Sequence, residues 1–147
     1  MIMADLKYCY EYPRVAHTVD AIIIAKCSGG DMILLIERKF DPFRGMWALP
    51  GGFIGMEETL GEACGRELFE ETGLQGISLN QYYTFDEVGR DPRHRTISTA
   101  FWGYVTETFP VNGGDDAATA AWFPVGSLPE MAFDHGRIIR KFIADKL

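Results

Sequence analysis

The chain has 147 residues, 47% apolar and 24% charged, enough for one globular domain that buries its own core. Its formal net charge of −7 argues against a protein that wraps nucleic acid polymers, because such binding rests on clustered Lys and Arg neutralising phosphates. A small anionic ligand remains open to an acidic domain only if a bound cation or a local basic patch offsets its field.

Cys9, Cys27 and Cys64 are widely spaced and outside any C-x-x-C pair, which points to free thiols in a reducing cytoplasm rather than a disulfide framework or a zinc knuckle. The N-terminus lacks a basic start followed by an apolar run, and no stretch approaches the roughly 18 apolar residues of a membrane span. The expectation is a cytoplasmic protein without a membrane partner.

In chain order, Thr18 to Lys26 and Met32 to Arg38 are β-rich runs separated by Ser28, Gly29, Gly30 and Asp31, a turn cluster that predicts an antiparallel hairpin. Trp47 to Leu49 is a short strand running into Pro50, Gly51 and Gly52, where the double glycine allows a tight turn or a close approach to a ligand. Thr59 followed by Glu62 is a capping-box pattern, so a helix is expected from about Leu60 to the terminator Gly73. Tyr82 to Val88 and Ile97 to Glu107 read as strands joined by the charged segment Gly89 to Arg95, and Ala121 to Val125 as another strand. From Asp134 onward, Ile138, Ile139, Phe142 and Ile143 recur at helical spacing. No repeat or linker interrupts the pattern, and the predicted class is α/β, a mixed sheet with helices packed against it.

The helix over 60–72 carries its acids in an unusual place. Leu60, Ala63, Cys64, Glu67, Leu68 and Glu71 fall on a single stripe at a 3.6-residue period, so two carboxylates share the face that should be buried. Glu70 lies beside them, three residues from Glu67, near the C-terminal half of the helix, where the helix dipole also disfavours negative charge. Three remedies exist: pairing with Arg, shared protons at raised pKa, or a hard divalent cation. Arg66 is expected to satisfy one of the three acids, not all. An all-oxygen cluster at spacing i, i+3, i+4 suits Mg²⁺, with Mn²⁺ as the alternative, far better than zinc. A solvated acidic face would be the plainer reading of an isolated Glu cluster.

The larger pattern decides between them. Gly52, Glu58, Arg66, Glu67, Glu70, Glu71 and Gly73, with Leu68 and Leu74 between and after them, stand at the fixed positions of the Nudix box. Seven required residues at a background usage of roughly 5 to 7% each give a chance match on the order of one in 10⁹ per starting point. The chain therefore resembles the Nudix hydrolase family. The strand Trp47, Ala48, Leu49, Pro50 before the box is also typical of the family, as is the late segment from Asp115, Asp116 and Ala117 to Ala121, Trp122, Phe123 and Pro124.

The resemblance implies a single domain over residues 1–147 with the Nudix fold, a mixed β-sheet sandwiched between α-helices, in which the box forms loop, helix and loop. It implies Mg²⁺ or Mn²⁺ held by Glu67, Glu70 and Glu71, aided by the carbonyl of Gly51, with Arg66 orienting a metal-binding Glu. The cations would neutralise a diphosphate bridge and lower the pKa of the attacking water. Asp115 and Asp116 are candidates for the general base, although Gly113 to Asp116 is also a good turn sequence.

The segment Gly89 to Thr96 places Arg90, Arg93 and Arg95 in one loop of an acidic protein. As guanidiniums grip phosphate in a bidentate way, these three, with Arg38, are the substrate-binding candidates, and an exposed charged hairpin loop is the plainer reading. The segment resembles one in ADP-ribose pyrophosphatase-like Nudix proteins, as do Tyr12, Pro13, Thr18 to Asp20 and Phe133 to His135; the proline that many such enzymes carry soon after the box is out of register here, the nearest being Pro92. The resemblance implies ADP-ribose as substrate, split to AMP and ribose 5-phosphate, with a nucleoside triphosphate as the alternative substrate. Phe43, Trp47 and Tyr83 are possible adenine platforms, though such rings are more often core. His17, His94 and His135 form no triad or metal spacing and are expected to be structural.

A different class also stays open, since the same subgroup includes regulators that sense ADP-ribose or a sugar and bind DNA through an added C-terminal winged helix. The chain ends at Leu147 soon after its last helix and the box is complete, and both weigh against a sensor. Many members of the family are homodimers, so the resemblance admits a homodimer.

Overall fold

The computed structural model describes residues 8–114 and 117–147. These form seven strands, β1 (Ala16–Cys27), β2 (Gly30–Arg38), β3 (Trp47–Ala48), β4 (Gly51–Phe53), β5 (Asn80–Phe85), β6 (Thr96–Val105) and β7 (Ala117–Pro124), and two helices, α1 (Leu60–Thr72) and α2 (His135–Lys146). The sheet runs β3-β2-β1-β6-β5, with β4 paired to β1 and β7 to β2. It is mixed, because β1 and β6 run parallel while the other pairs are antiparallel.

Strand β1 lies buried on both faces, so it reads as a continuous apolar run, and its alternation shows which helix each residue meets. Val19, Ala21 and Ile23 pack with Ala63, Cys64 and Leu68 of α1, whereas Ile22 and Ile24 pack with Ile138, Ile139 and Phe142 of α2. β2 repeats the pattern, with Leu34 and Ile36 on the α1 side and Ile33 and Leu35 on the other. Each fully buried aliphatic side chain of this kind contributes about 1.5–3 kcal/mol. The expected sandwich of a sheet between helices is the observed one.

α1 begins and ends where its sequence directs. The Thr59 hydroxyl accepts from the Glu62 N–H at 3.1 Å, and Glu62 reaches back to the Thr59 N–H at 3.4 Å. A cap of this kind is worth about 1 kcal/mol. Gly73 closes the helix at φ 82°, donating its N–H to the Phe69 carbonyl at 2.8 Å.

Some element bounds differ from expectation. Pro50 to Gly52, expected to turn tightly or to come close to a ligand, lead into strand β4, which pairs with β1 through Asp20 opposite Gly51 and Val19 opposite Gly52, and β7 begins at Ala117 rather than Ala121. The strand expected over 82–88 starts earlier, at Asn80, and stops at Phe85, because Glu87 to Arg90 form a tight turn around Gly89 at φ 84°. No helix among the described residues is long and apolar enough to cross a membrane.

Candidate active site

α1 packs its acid-bearing face against β4, and the two elements form the floor of a cleft of about 360 Å³. Glu71 is 4% exposed. Its Oε1 accepts the Gly51 N–H at 3.2 Å, and among the described residues no Lys, Arg or His forms an ion pair with its carboxyl. Burial first, then the neighbouring Glu67, then Asp20, push its pKa up to about 9, against the opposing Gly51 hydrogen bond.

Arg66 serves the other acids, and it serves more of them than expected. Its Nε and Nη2 bond both oxygens of Glu58 at 2.9 and 2.7 Å, while Nη1 reaches Glu67 at 2.9 Å and Glu70 at 3.1 Å. Nη2 also donates to the Phe53 carbonyl at 3.2 Å, tying α1 to β4. Arg66 therefore satisfies two of the three helix acids and Glu58 besides, which corrects the sequence expectation; Glu67 and Glu70 lie one and four residues along the same helix, and Glu58 comes from the loop before it. That bidentate pair, with the Gly55 N–H, holds Glu58 down to about 2, and the same pairing raises the Arg66 pKa. Among the described residues, Glu71 has no such cationic partner.

The donor chemistry fits a divalent cation. Glu67 and Glu71 line the cleft beside Gly51, whereas Glu70 is not among the lining residues and is bonded by Arg66. At Gly52 a Cβ would lie 2.7 Å from the Cδ and Oε1 of Glu67, so only glycine leaves room for that carboxylate. Among the described residues no three acids, histidines or cysteines already converge in a ready-made metal geometry, and Arg66 holds Glu67 and Glu70 in this form.

A pH dependence follows. With a folded pKa near 9 and an unfolded value near 4.3, Glu71 keeps a proton in the fold that the unfolded chain has lost, so stability falls as pH rises between them. In EDTA, the unfolding free energy from urea melts is expected to drop from pH 7 to pH 8 by about 1 kcal/mol, lowering the midpoint, and Glu71→Gln should flatten the slope. A rising midpoint in the wild type would contradict the placement of Glu71.

The cleft walls hold residues of several elements. Asp20 of β1 is buried, accepts a short hydrogen bond from Ser98 Oγ, and lies 3.6 Å from Nε2 of His135. His135 accepts the Leu49 N–H on Nδ1 at 3.0 Å, so its proton is on Nε2, facing Asp20. Burial lowers its pKa, and its ring lines the cleft beside Asp20. From the sequence Asp20 enters only within the run Thr18 to Asp20 that carries the resemblance and not as a site residue, although an acid interrupting an apolar strand is a signal of its own.

The arginine loop is only partly the open basic patch that was predicted. Arg90 lines the cleft but is 4% exposed and clamped by both oxygens of Asp134 at 2.9 and 2.7 Å. Arg93 also lines it, with Nε and Nη2 on Asp91 at 3.0 and 2.7 Å. Arg95 is not brought to the cleft lining; it donates to the Asp86 carbonyl at 2.7 Å across the hairpin. Arg38 also lines the cleft. Of the proposed platforms, Trp47 packs on Phe123 in the α2-side core and Tyr83 lies on β5 under Lys141, while Phe43 packs on the cleft residue Phe133. Asp115 and Asp116 lie outside the described residues; Gly114 before them abuts α1, where a Cβ would land on the Glu70 carbonyl.

A mixed sheet between two helices, with a loop-helix-loop of acids beneath a cleft, defines a protein of α/β class with the Nudix architecture. The chain belongs to the NUDIX domain family, whose model matches residues 16–144. It is 41% identical over 139 residues to an ADP-ribose pyrophosphatase of Methanocaldococcus jannaschii, covering 95% of this chain and 79% of that protein. It is 28% identical over 138 residues to an ADPR responsive transcriptional repressor of Acinetobacter baylyi, 91% of this chain but only 55% of the repressor. A bifunctional NMN adenylyltransferase/ADP ribose pyrophosphatase of Francisella tularensis, solved with AMP and a manganese ion, superimposes with a TM-score of 0.80 at 33% identity, over 92% of this chain and 43% of that one.

Proposed function

We propose that this Nudix hydrolase cleaves the diphosphate bond of ADP-ribose to AMP and ribose 5-phosphate, with Mg²⁺ held by Glu67, Glu70, Glu71 and the Gly51 carbonyl. The observation that carries the reading is a buried, cation-deficient Glu71 beside Glu67 on the floor of a cleft whose walls carry Arg38, Arg90 and Arg93. The similarity to ADP-ribose pyrophosphatases, one solved with manganese, supports both substrate and ion class.

Bound divalent cations would neutralise the diphosphate oxygens and lower the pKa of the attacking water. The chain's own part is positional. Glu71 would exchange its proton for the cation, Arg66 fixes the carboxylates of Glu67 and Glu70, and Gly52 keeps space open for Glu67. Arg93 and Arg38 would grip the substrate's anionic groups, with Arg90 held behind them by Asp134. Asp115 and Asp116 remain candidates for the base that takes the water's proton.

The test is a Mg²⁺-dependent screen over ADP-ribose, nucleotide sugars, dinucleotides and nucleoside triphosphates, with chromatography of products. AMP from ADP-ribose is the expected result. Preferential cleavage of a triphosphate would sink the substrate assignment. The relation to an ADPR-responsive repressor favours a second reading, a sensor, and binding of ADP-ribose without any turnover would favour it.

A further inference from the structure

Among the described residues only two besides glycine adopt a positive φ, Phe43 at 62° and Phe133 at 52°, and their rings meet at 4.7 Å between centroids. A bulky side chain in the left-handed region costs free energy, and such strain persists only where the surrounding structure enforces it. The two come from distant parts of the chain. Phe43 belongs to the connection between β2 and β3, closed by the Met46 N–H on its carbonyl at 3.1 Å, and Phe133 to the turn before α2, closed by the His135 N–H on Ala132 at 3.1 Å.

What the pair supports is a seat for two cations. The guanidinium carbon of Arg38 lies 4.8 Å from the Phe133 ring centre and that of Arg93 lies 5.2 Å from it. Arg93 is also 5.1 Å from the Phe53 ring. Each guanidinium is further fixed in its plane, Arg38 by Nε donating to the Pro42 carbonyl at 2.7 Å and Arg93 by Asp91. Phe133, Arg38 and Arg93 all line the cleft.

We propose that Phe133, braced by Phe43, is a positioning residue that holds Arg38 and Arg93 as a preformed pair for the anionic substrate. The inference rests on the reading of this cleft as the substrate site. Arg side chains lose much rotamer freedom when they bind, and a guanidinium already laid against a ring loses less. Neither the ring nor the two guanidiniums belongs to the acid cluster, so the benefit falls on substrate binding rather than on the chemical step.

The experiment is steady-state kinetics on ADP-ribose with Mg²⁺ for Phe133→Leu and Phe133→Tyr, with thermal melts of both. Leu, which keeps bulk without a π face, is expected to raise KM about tenfold with kcat within about twofold, and Tyr to restore KM to nearly the wild-type value. An unchanged KM with a lower kcat, or a Tyr variant as impaired as Leu, would overturn the proposal. Should the Leu variant fail to fold, Phe43→Leu is expected to raise KM in the same direction, and an unchanged KM there overturns it equally. If the wild type cleaves some other compound, the substrate assignment fails by itself and the same ratios are read on that compound. If it cleaves none, the calorimetric Kd for ADP-ribose takes the place of KM, and a Leu to wild-type ratio near one overturns the proposal.

Discussion

Replacing Glu71 by Gln is expected to lower kcat by about 10² to 10³-fold, the effect of losing several kcal/mol of charge stabilisation at the reacting phosphate. The same change should leave the cation-free protein at least as stable as the wild type. In the fold without a cation the Glu71 carboxyl is buried and pushed up to about 9, so at neutral pH it is protonated, and Gln has nearly its shape and charge. Gln also keeps an oxygen that can accept the Gly51 N–H. Activity and stability should therefore part company, which a kinetic assay beside a thermal melt would show. Near-normal turnover in the variant would remove Glu71 from the metal site.

Gly52→Ala is expected to reduce turnover by about 10²-fold or more, with the fold retained. The added methyl would stand 2.7 Å from the Glu67 carboxylate, and the side that yields is the flexible one, so Glu67 swings away from the cleft. Gly51→Ala should fail differently. There the methyl would land on the backbone oxygen of Val19 and lie 2.7 Å from Oδ1 of Asp20, in the middle of the β1–β4 pairing. That strand cannot give way as a side chain can, so poor expression or a collapsed melting transition is expected. Circular dichroism with activity separates the two outcomes, and equal behaviour of both variants would contradict the geometry.

Much of this fold was legible in the residues. Thr59, Glu62 and Gly73 set the ends of α1 by local hydrogen bonding, which depends on spacing alone. The stripe that mixes Leu68 with Glu67 and Glu71 correctly placed acids against the sheet. What sequence could not give were encounters between distant segments. β4 is three residues long and pairs with β1, so from the residues alone its glycines read as a tight turn or a close approach to a ligand rather than as a strand. Arg90 looked like part of an exposed basic loop because its partner Asp134 is 44 residues away. Asp20 and Phe133 carried no spacing signal, since one meets His135 across the sheet and the other meets Phe43 and two arginines from separate loops.

The most direct measurement is a Mn²⁺ titration followed by the electron paramagnetic resonance of the free aqueous ion, in wild type and Glu71→Gln. The expected result is saturable loss of the free-ion signal with the wild type at pH 7.5 and little loss with the variant. Equal binding by the two proteins, or no binding by the wild type, would contradict a cation site built on Glu71 and its neighbours.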